Sequence, residues 1–114
     1  VVSKTPVTPT QLSRGNMQAR GYLVALVEHR VPGTGRRVTR DLFGFIDLLG
    51  VGDAGTLAVQ TTDSTNMSKR VAKIRESENL HAVKQAGWRV EVHGWYKPKL
   101  PGLPPAVRIV VINP

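Results

Sequence analysis

The apolar positions of the chain change spacing several times, and each change marks an element. Thr8-Pro9-Thr10-Gln11 has the form of a capping box with proline at the first helical position, so a helix is expected from there to about Arg20. Gly21 supplies its stop. Leu12 and Ala19, with Gly15 and Asn16 between them, leave only a thin apolar stripe, and such a helix must dock on something to persist. From Tyr22 to His29 the chain is apolar almost throughout, which predicts a strand covered on both faces. Arg30 to Arg37 reads as a turn with a basic tip, and Val38 to Val51 as the returning strand that carries Asp41 and Asp47. Those two acids are an even number of positions apart and share a face of an unbroken strand, whereas a bulge at Gly44 would reset that parity.

A glycine-rich turn, Gly50 to Gly55, leads into a second apolar strand, Thr56 to Thr62. Asp63 to Asn66 offers N-caps for a helix over Met67 to Arg75, with Met67, Val71 and Ile74 on its inner face. A shorter helical stretch, Glu78 to Ala86, turns Leu80 and Val83 inward and ends at Gly87. Trp88 to Tyr96 alternates as a half-exposed strand, Trp88, Val90 and Val92 facing one way and Arg89, Glu91, His93 and Trp95 the other. A proline-rich link then reaches a last edge strand within residues 106–112. The order α, β, β, β, α, α, β, β is that of an α/β domain with a mixed central β-sheet flanked by helices. It lacks strict strand–helix alternation and has no glycine-rich phosphate loop at a strand-to-helix turn.

Composition narrows this only a little. At 114 residues, 40% hydrophobic, the chain is one domain (1–114) with enough apolar material for a single core. There is no cysteine, hence no disulfide framework and no thiolate metal site. No apolar run approaches the roughly 20 residues of a membrane span, and the N-terminus lacks the apolar stretch of a signal peptide, so a cytoplasmic protein is expected. Charge changes the picture more. The formal net charge is +8, and before Asp41 the only acid is Glu28, against Lys4 and six arginines (14, 20, 30, 36, 37 and 40). So lopsided a basic half suits a polyanion; nucleic acid is the first expectation, and a merely soluble basic protein and an anionic lipid surface are the others.

Candidate chemistry gathers around the two strands on either side of the glycine turn. Asp47 and Gln60 lie at similar distances from that turn and are expected to face each other across the pair. A carboxylate between Ile46 and Leu48 needs a metal ion or an arginine to satisfy it. An acid beside an amide oxygen suits a hard divalent cation, and Asp41, next to Arg40, forms a solvated strand-end pair or is a further ligand. Lys69 and Arg70 sit in a first helical turn, where cations oppose the helix dipole unless an anion is expected there. With Lys73, Arg40 and the Arg36-Arg37 hairpin tip they form the expected nucleic-acid contacts. His29, His81 and His93 are dispersed and read as surface or packing residues; Trp88 reads as core, and Trp95 and Tyr96 as packing or base-stacking groups.

The run Gly44-Phe45-Ile46-Asp47-Leu48-Leu49, a glycine turn, Leu57-Ala58-Val59-Gln60-Thr61-Thr62, the basic helix after it and the closing Gly94-Trp95-Tyr96-Lys97 resemble the PD-(D/E)XK nuclease superfamily. The likeness is to its small members, the archaeal-type Holliday-junction resolvases and VRR-NUC domains, many of them carried by phages, and it covers roughly residues 8–97. It implies a restriction-endonuclease-like αβββαβ core and a Mg²⁺- or Mn²⁺-dependent DNA endonuclease, acting as a homodimer in the cytoplasm of a bacterial host or phage-infected cell. It also implies metal ligands at Asp47, Gln60, the main-chain oxygen of Thr61 and Asp41, with Thr62 at the place of the superfamily's lysine. Three departures stand out: Gln60 is neutral, Thr62 cannot act as a lysine, and residues 8–21 contain no acid, Gln11 and Gln18 being the nearest polar substitutes. Lys69 or Lys73 would then have to supply the missing cation, and Asp41 or Glu28 the missing second carboxylate. Loss of catalysis with retained nucleic-acid binding is the alternative that these departures favour, and a basic RNA- or ribosome-associated module without metal is a third.

Overall fold

The computed structural model describes residues 7–30, 33 and 39–113. Helix α1 (Pro9–Ala19) opens on the expected capping box. The Gln11 amide N–H donates to Thr8 Oγ1 at 3.2 Å, and the Thr8 N–H donates to Gln11 Oε1 at 2.9 Å. Strands β1 (Leu23–Leu26), β4 (Leu48–Gly52), β5 (Gly55–Asp63), β6 (Arg89–Tyr96) and β7 (Ala106–Val111) form one sheet in the order β1-β4-β5-β6-β7. β1, β4 and β5 are an antiparallel meander, β6 lies parallel to β5, and β7 is antiparallel to β6. The parallel step needs a crossover, which α2 (Met67–Arg75) and α3 (Leu80–Gln85) provide. β2 (His29–Arg30) and β3 (Thr39–Arg40) pair separately as a small ribbon. The expected element order and mixed sheet are both present. Among the described residues no helix is long and apolar enough to cross a membrane.

Alternate residues of β5 feed two apolar layers. Ala58 packs with Phe45, Ile46, Ile74, Val90 and Val92 beneath α2 and α3. Leu57 and Val59 pack with Leu48, Val24 and Met17 beneath α1. Gly50 is required by this second layer: a Cβ there would come within 2.8 Å of Met17 Cε and 3.0 Å of Tyr22 Cβ, so the helix rests directly on the strand.

Four expectations change. β1 is an edge strand, not one covered on both faces; only Val24 is buried, and Leu23, Ala25 and Leu26 are exposed. Its apolar run misled because it lies at the rim, where no helix covers its second face. β6 is interior to the sheet rather than half-exposed, and Glu91 and His93 of its polar face are buried under α1, while Arg89 stays exposed at its start. The strand expected over 38–51 is interrupted: Phe43 (φ 54°) and Gly44 (φ 85°) take left-handed conformations, and the Ile46 N–H donates back to Leu42 O at 3.0 Å. Asn79 Nδ2 holds this turn by donating to Phe43 O at 3.0 Å. Finally, α1 buries Ser13 and Met17, one turn apart, rather than the Leu12–Ala19 stripe.

Ser13 is buried because a polar chain runs under α1. Arg20 forms a bidentate pair with Glu91 (Nη1 to Oε1 and Nη2 to Oε2, each 2.9 Å), and Arg89 Nε adds a third contact at 2.7 Å. His93 Nε2 donates to Glu91 Oε1 at 2.9 Å, since a carboxylate only accepts, and its Nδ1 lies 3.0 Å from Ser13 Oγ. Trp95 Nε1 donates to the same hydroxyl at 2.8 Å, and Thr61 Oγ1 is 3.0 Å away. Ser13, Glu91 and His93 are each 0% exposed. Burial pushes the Glu91 carboxyl up, but Arg20, His93 and Arg89 together outweigh it and hold the group well below its ordinary 4.5. A carboxylate depressed in the fold adds stability above its unfolded value and loses it as pH falls below that value. Glu91→Ala is therefore expected to cost about 1–3 kcal/mol, because it leaves the buried His93 Nε2–H without its acceptor while Arg20 and Arg89 remain open to solvent. Urea unfolding at pH 7 reads the loss, and the gap between variant and parent should narrow as pH is taken below 4.5.

Candidate metal centre

The β4–β5 register places Leu48 opposite Val59, so Asp47, one position earlier, lies at the mouth of the pair beside Gln60. Leu48 faces α1, which turns Asp47 to the α2 side, the face that Gln60 also takes. The expected meeting occurs: Gln60 Nε2 donates to Asp47 Oδ2 at 2.6 Å and reaches Asp41 Oδ2 at 3.4 Å. No arginine occupies the Asp47 carboxylate among the described residues; the salt bridges found there all belong to Glu91. The second donor to Asp47 Oδ2 is the Thr61 backbone N–H, at 2.9 Å. β4 begins only at Leu48, so next to Thr61 the strand edge has lost its backbone partner and the carboxylate takes that place. N–H and C=O of one strand residue point to the same side, which turns the Thr61 carbonyl toward Asp47 as well.

Asp41 arrives by way of the turn at Phe43 and Gly44 rather than along a continuous strand. Glu28, just beyond β1, completes a group in which carboxylate oxygens of Glu28, Asp41 and Asp47 all lie within 4.8 Å of one another. Gln60 Oε1 is buried and has no hydrogen-bond partner among the described residues, while its Nε2 is engaged with the acids. A half-turn of that amide would direct the free oxygen at the carboxylates, an arrangement stable only with a cation between them. Three carboxylates, an amide oxygen and a carbonyl form an all-oxygen donor set of the kind hard divalent cations take.

Burial, with the neighbouring Asp41 carboxylate, pushes the Asp47 carboxyl up from 3.8 to about 7, against the Thr61 N–H and Gln60, which hold it down. Loss of solvent is the larger cause and the Asp41 carboxylate the next; a cation bound among the acids would draw the group back down.

The remaining site residues are dispersed. Thr62 is buried on the face of Gln60, and Lys69 and Lys73 are exposed on α2, with no ion pair to the acids among the described residues. Arg70 is half-buried and Arg40 exposed; Arg36 and Arg37 fall outside the described residues. Gln11 is used by the helix cap and Gln18 is exposed, so α1 brings neither to the acids. Trp95 serves as a donor to Ser13. Tyr96 lies under the Arg108 guanidinium, 5.2 Å from its ring centroid. The residue that sequence reasoning missed is Ser13; its spacing of four from Met17 on α1 was the available signal. No family model, curated protein or solved structure matches the chain.

An acid raised in the fold makes the native state hold its proton more tightly than the unfolded chain does, so stability declines as pH rises from about 4 to about 7 and levels off above that. Asp47→Asn keeps an acceptor for Gln60 and Thr61 without the charge. It should be more stable than the parent above pH 7, on the order of a few kcal/mol, and the two should converge near pH 4. Thermal unfolding across that range reads the difference. Millimolar Mn²⁺ should raise the parent's midpoint at pH 7.5 and leave that of Asp47→Asn nearly unmoved.

Proposed function

We propose that the protein is a metal-dependent nuclease that hydrolyses phosphodiester bonds in DNA, with branched or otherwise structured DNA as its substrate. The observation that carries this reading is the convergence of Glu28, Asp41 and Asp47 around the buried, half-satisfied amide of Gln60. A five-stranded mixed sheet flanked by helices, with Asp47 beside Gln60, is compatible with the restriction-endonuclease-like core that the sequence resembles. A net charge of +8 and the cations of α2 suit a polyanionic substrate.

Asp47, Asp41, Glu28, the Gln60 amide oxygen and the Thr61 carbonyl would hold Mg²⁺ or Mn²⁺. When bound, the ion supplies Lewis-acid polarisation of a phosphoryl oxygen and a more acidic water. The chain's own part is to fix the donors: the Thr61 N–H orients Asp47, and the turn at Phe43 delivers Asp41. Lys69, with Arg70 and Lys73, offsets phosphate charge from the first turns of α2, and Arg36, Arg37 and Arg40 extend the contact along the backbone of the nucleic acid. Thr62 packs at the lysine position without supplying a charge. Homodimer formation belongs to the same proposal, with the exposed edge of β1 (Leu23 80% and Leu26 49% exposed) as a surface for the second copy.

Thr62 and the acid-free α1 favour one second reading, a nuclease-like domain that binds nucleic acid without cutting it. Branched, nicked and linear DNA incubated with Mg²⁺ or Mn²⁺ separates the two. Cleavage by the parent that falls at least a hundredfold in Asp47→Asn is the expected result. Salt-sensitive binding without cleavage by either protein supports the second reading, and the absence of salt-sensitive binding removes both.

A further inference from the structure

We propose that Ser13 is a positioning residue for the metal centre, acting from the opposite side of the sheet through Thr61. This rests on the reading of the centre given above. Thr61 sits between two environments. Its side chain points toward α1, where its hydroxyl lies 3.0 Å from Ser13 Oγ. Its backbone N–H points along the sheet and donates to Asp47 Oδ2 at 2.9 Å, and its carbonyl shares that direction. A strand residue beyond the last ladder pair with β4 has no backbone hydrogen bond on that side to hold it in register. The ladder with β6, Thr61 opposite His93, holds the strand from the other side, and the Ser13 contact adds a side-chain anchor to it.

The anchor is stiff because Ser13 is itself held from several directions. Trp95 Nε1 donates to it at 2.8 Å, and His93 Nδ1 lies at 3.0 Å. His93 is fixed in turn by Glu91, and Glu91 by the bidentate Arg20 and by Arg89. Each of Ser13, His93 and Glu91 is fully buried, so the chain cannot exchange its partners for water. The arrangement has the Ser–His–acid composition of a hydrolytic triad, but a hydroxyl that is 0% exposed and crowded by Trp95, His93 and Thr61 cannot meet a substrate. Its reach is to Thr61, and through Thr61 to the donor that orients Asp47. Departing from the superfamily's pattern, α1 brings no acid to the centre and contributes this hydroxyl to the far side instead.

The test is amide hydrogen exchange by NMR on the parent, Ser13→Ala and Thr61→Val, with Val83→Ala as a core variant remote from the network. In Ser13→Ala, protection of the Thr61 amide should fall at least tenfold more than that of Ala58 and Val59 in the same strand. In Val83→Ala the three amides should lose protection together, as global destabilisation requires. Thr61→Val removes one hydroxyl and should reproduce the selective loss even if Ser13→Ala folds poorly. Titration with Mn²⁺ should show binding weakened about tenfold in both network variants and unchanged in Val83→Ala. Uniform loss of protection across β5 in both network variants would overturn the proposal. The exchange result needs no metal. A parent chain that takes up no Mn²⁺ therefore sinks the metal reading while the selective loss at Thr61 still decides the role of Ser13.

Discussion

The buried carboxylate of Asp47 is the constraint around which the rest of this structure is arranged. An ionised acid with 6% exposure is tolerable only where donors meet it, and here they are an amide from the adjacent strand and a backbone N–H that a shortened strand has released. Had β4 begun one pair earlier, the Thr61 N–H would have gone into the ladder and the carboxylate would have lost its donor. The break at Phe43 and Gly44 serves the same end. It stops the ladder short and brings Asp41 around to the same opening.

Two polar systems occupy the two faces of one sheet, and they balance in opposite ways. Beneath α1, Glu91 is surrounded by arginines and a histidine, and the cluster is satisfied in itself. On the α2 side three carboxylates stand together beside an unpartnered amide oxygen, and no cation pairs with them among the described residues. The first is what a buried ion pair looks like when it holds a helix in place. In the second, burial and the neighbouring Asp41 carboxylate push Asp47 up to about 7. Thr61 is shared by both systems, its side chain in one and its backbone in the other.

Periodicity and turn chemistry were enough for much of the architecture. The capping box at Thr8 and Gln11, the inner face of α2 at Met67 and Ile74, Val83 on α3, and the meeting of Asp47 with Gln60 were all legible, because each depends on residues close in sequence or on a hairpin of fixed length. Exposure of β1 and burial of β6 were not legible. Whether an apolar strand lies at the rim or the centre of a sheet depends on strand order, which no local pattern encodes.

By itself, then, the chain's sequence determined an α/β domain with a mixed sheet, an acid–amide pair across a hairpin and a strongly basic surface, since these follow from spacing, turn residues and charge. Tertiary structure alone decided which acids join Asp47 and what Ser13 is for. Glu28, Asp41 and Asp47 come together because a left-handed turn and a strand end converge. Ser13 meets Thr61 across 48 residues because α1 lies flat on a strand made accessible by Gly50. Such contacts are set by packing between elements distant along the chain, where sequence spacing carries no information about distance in space.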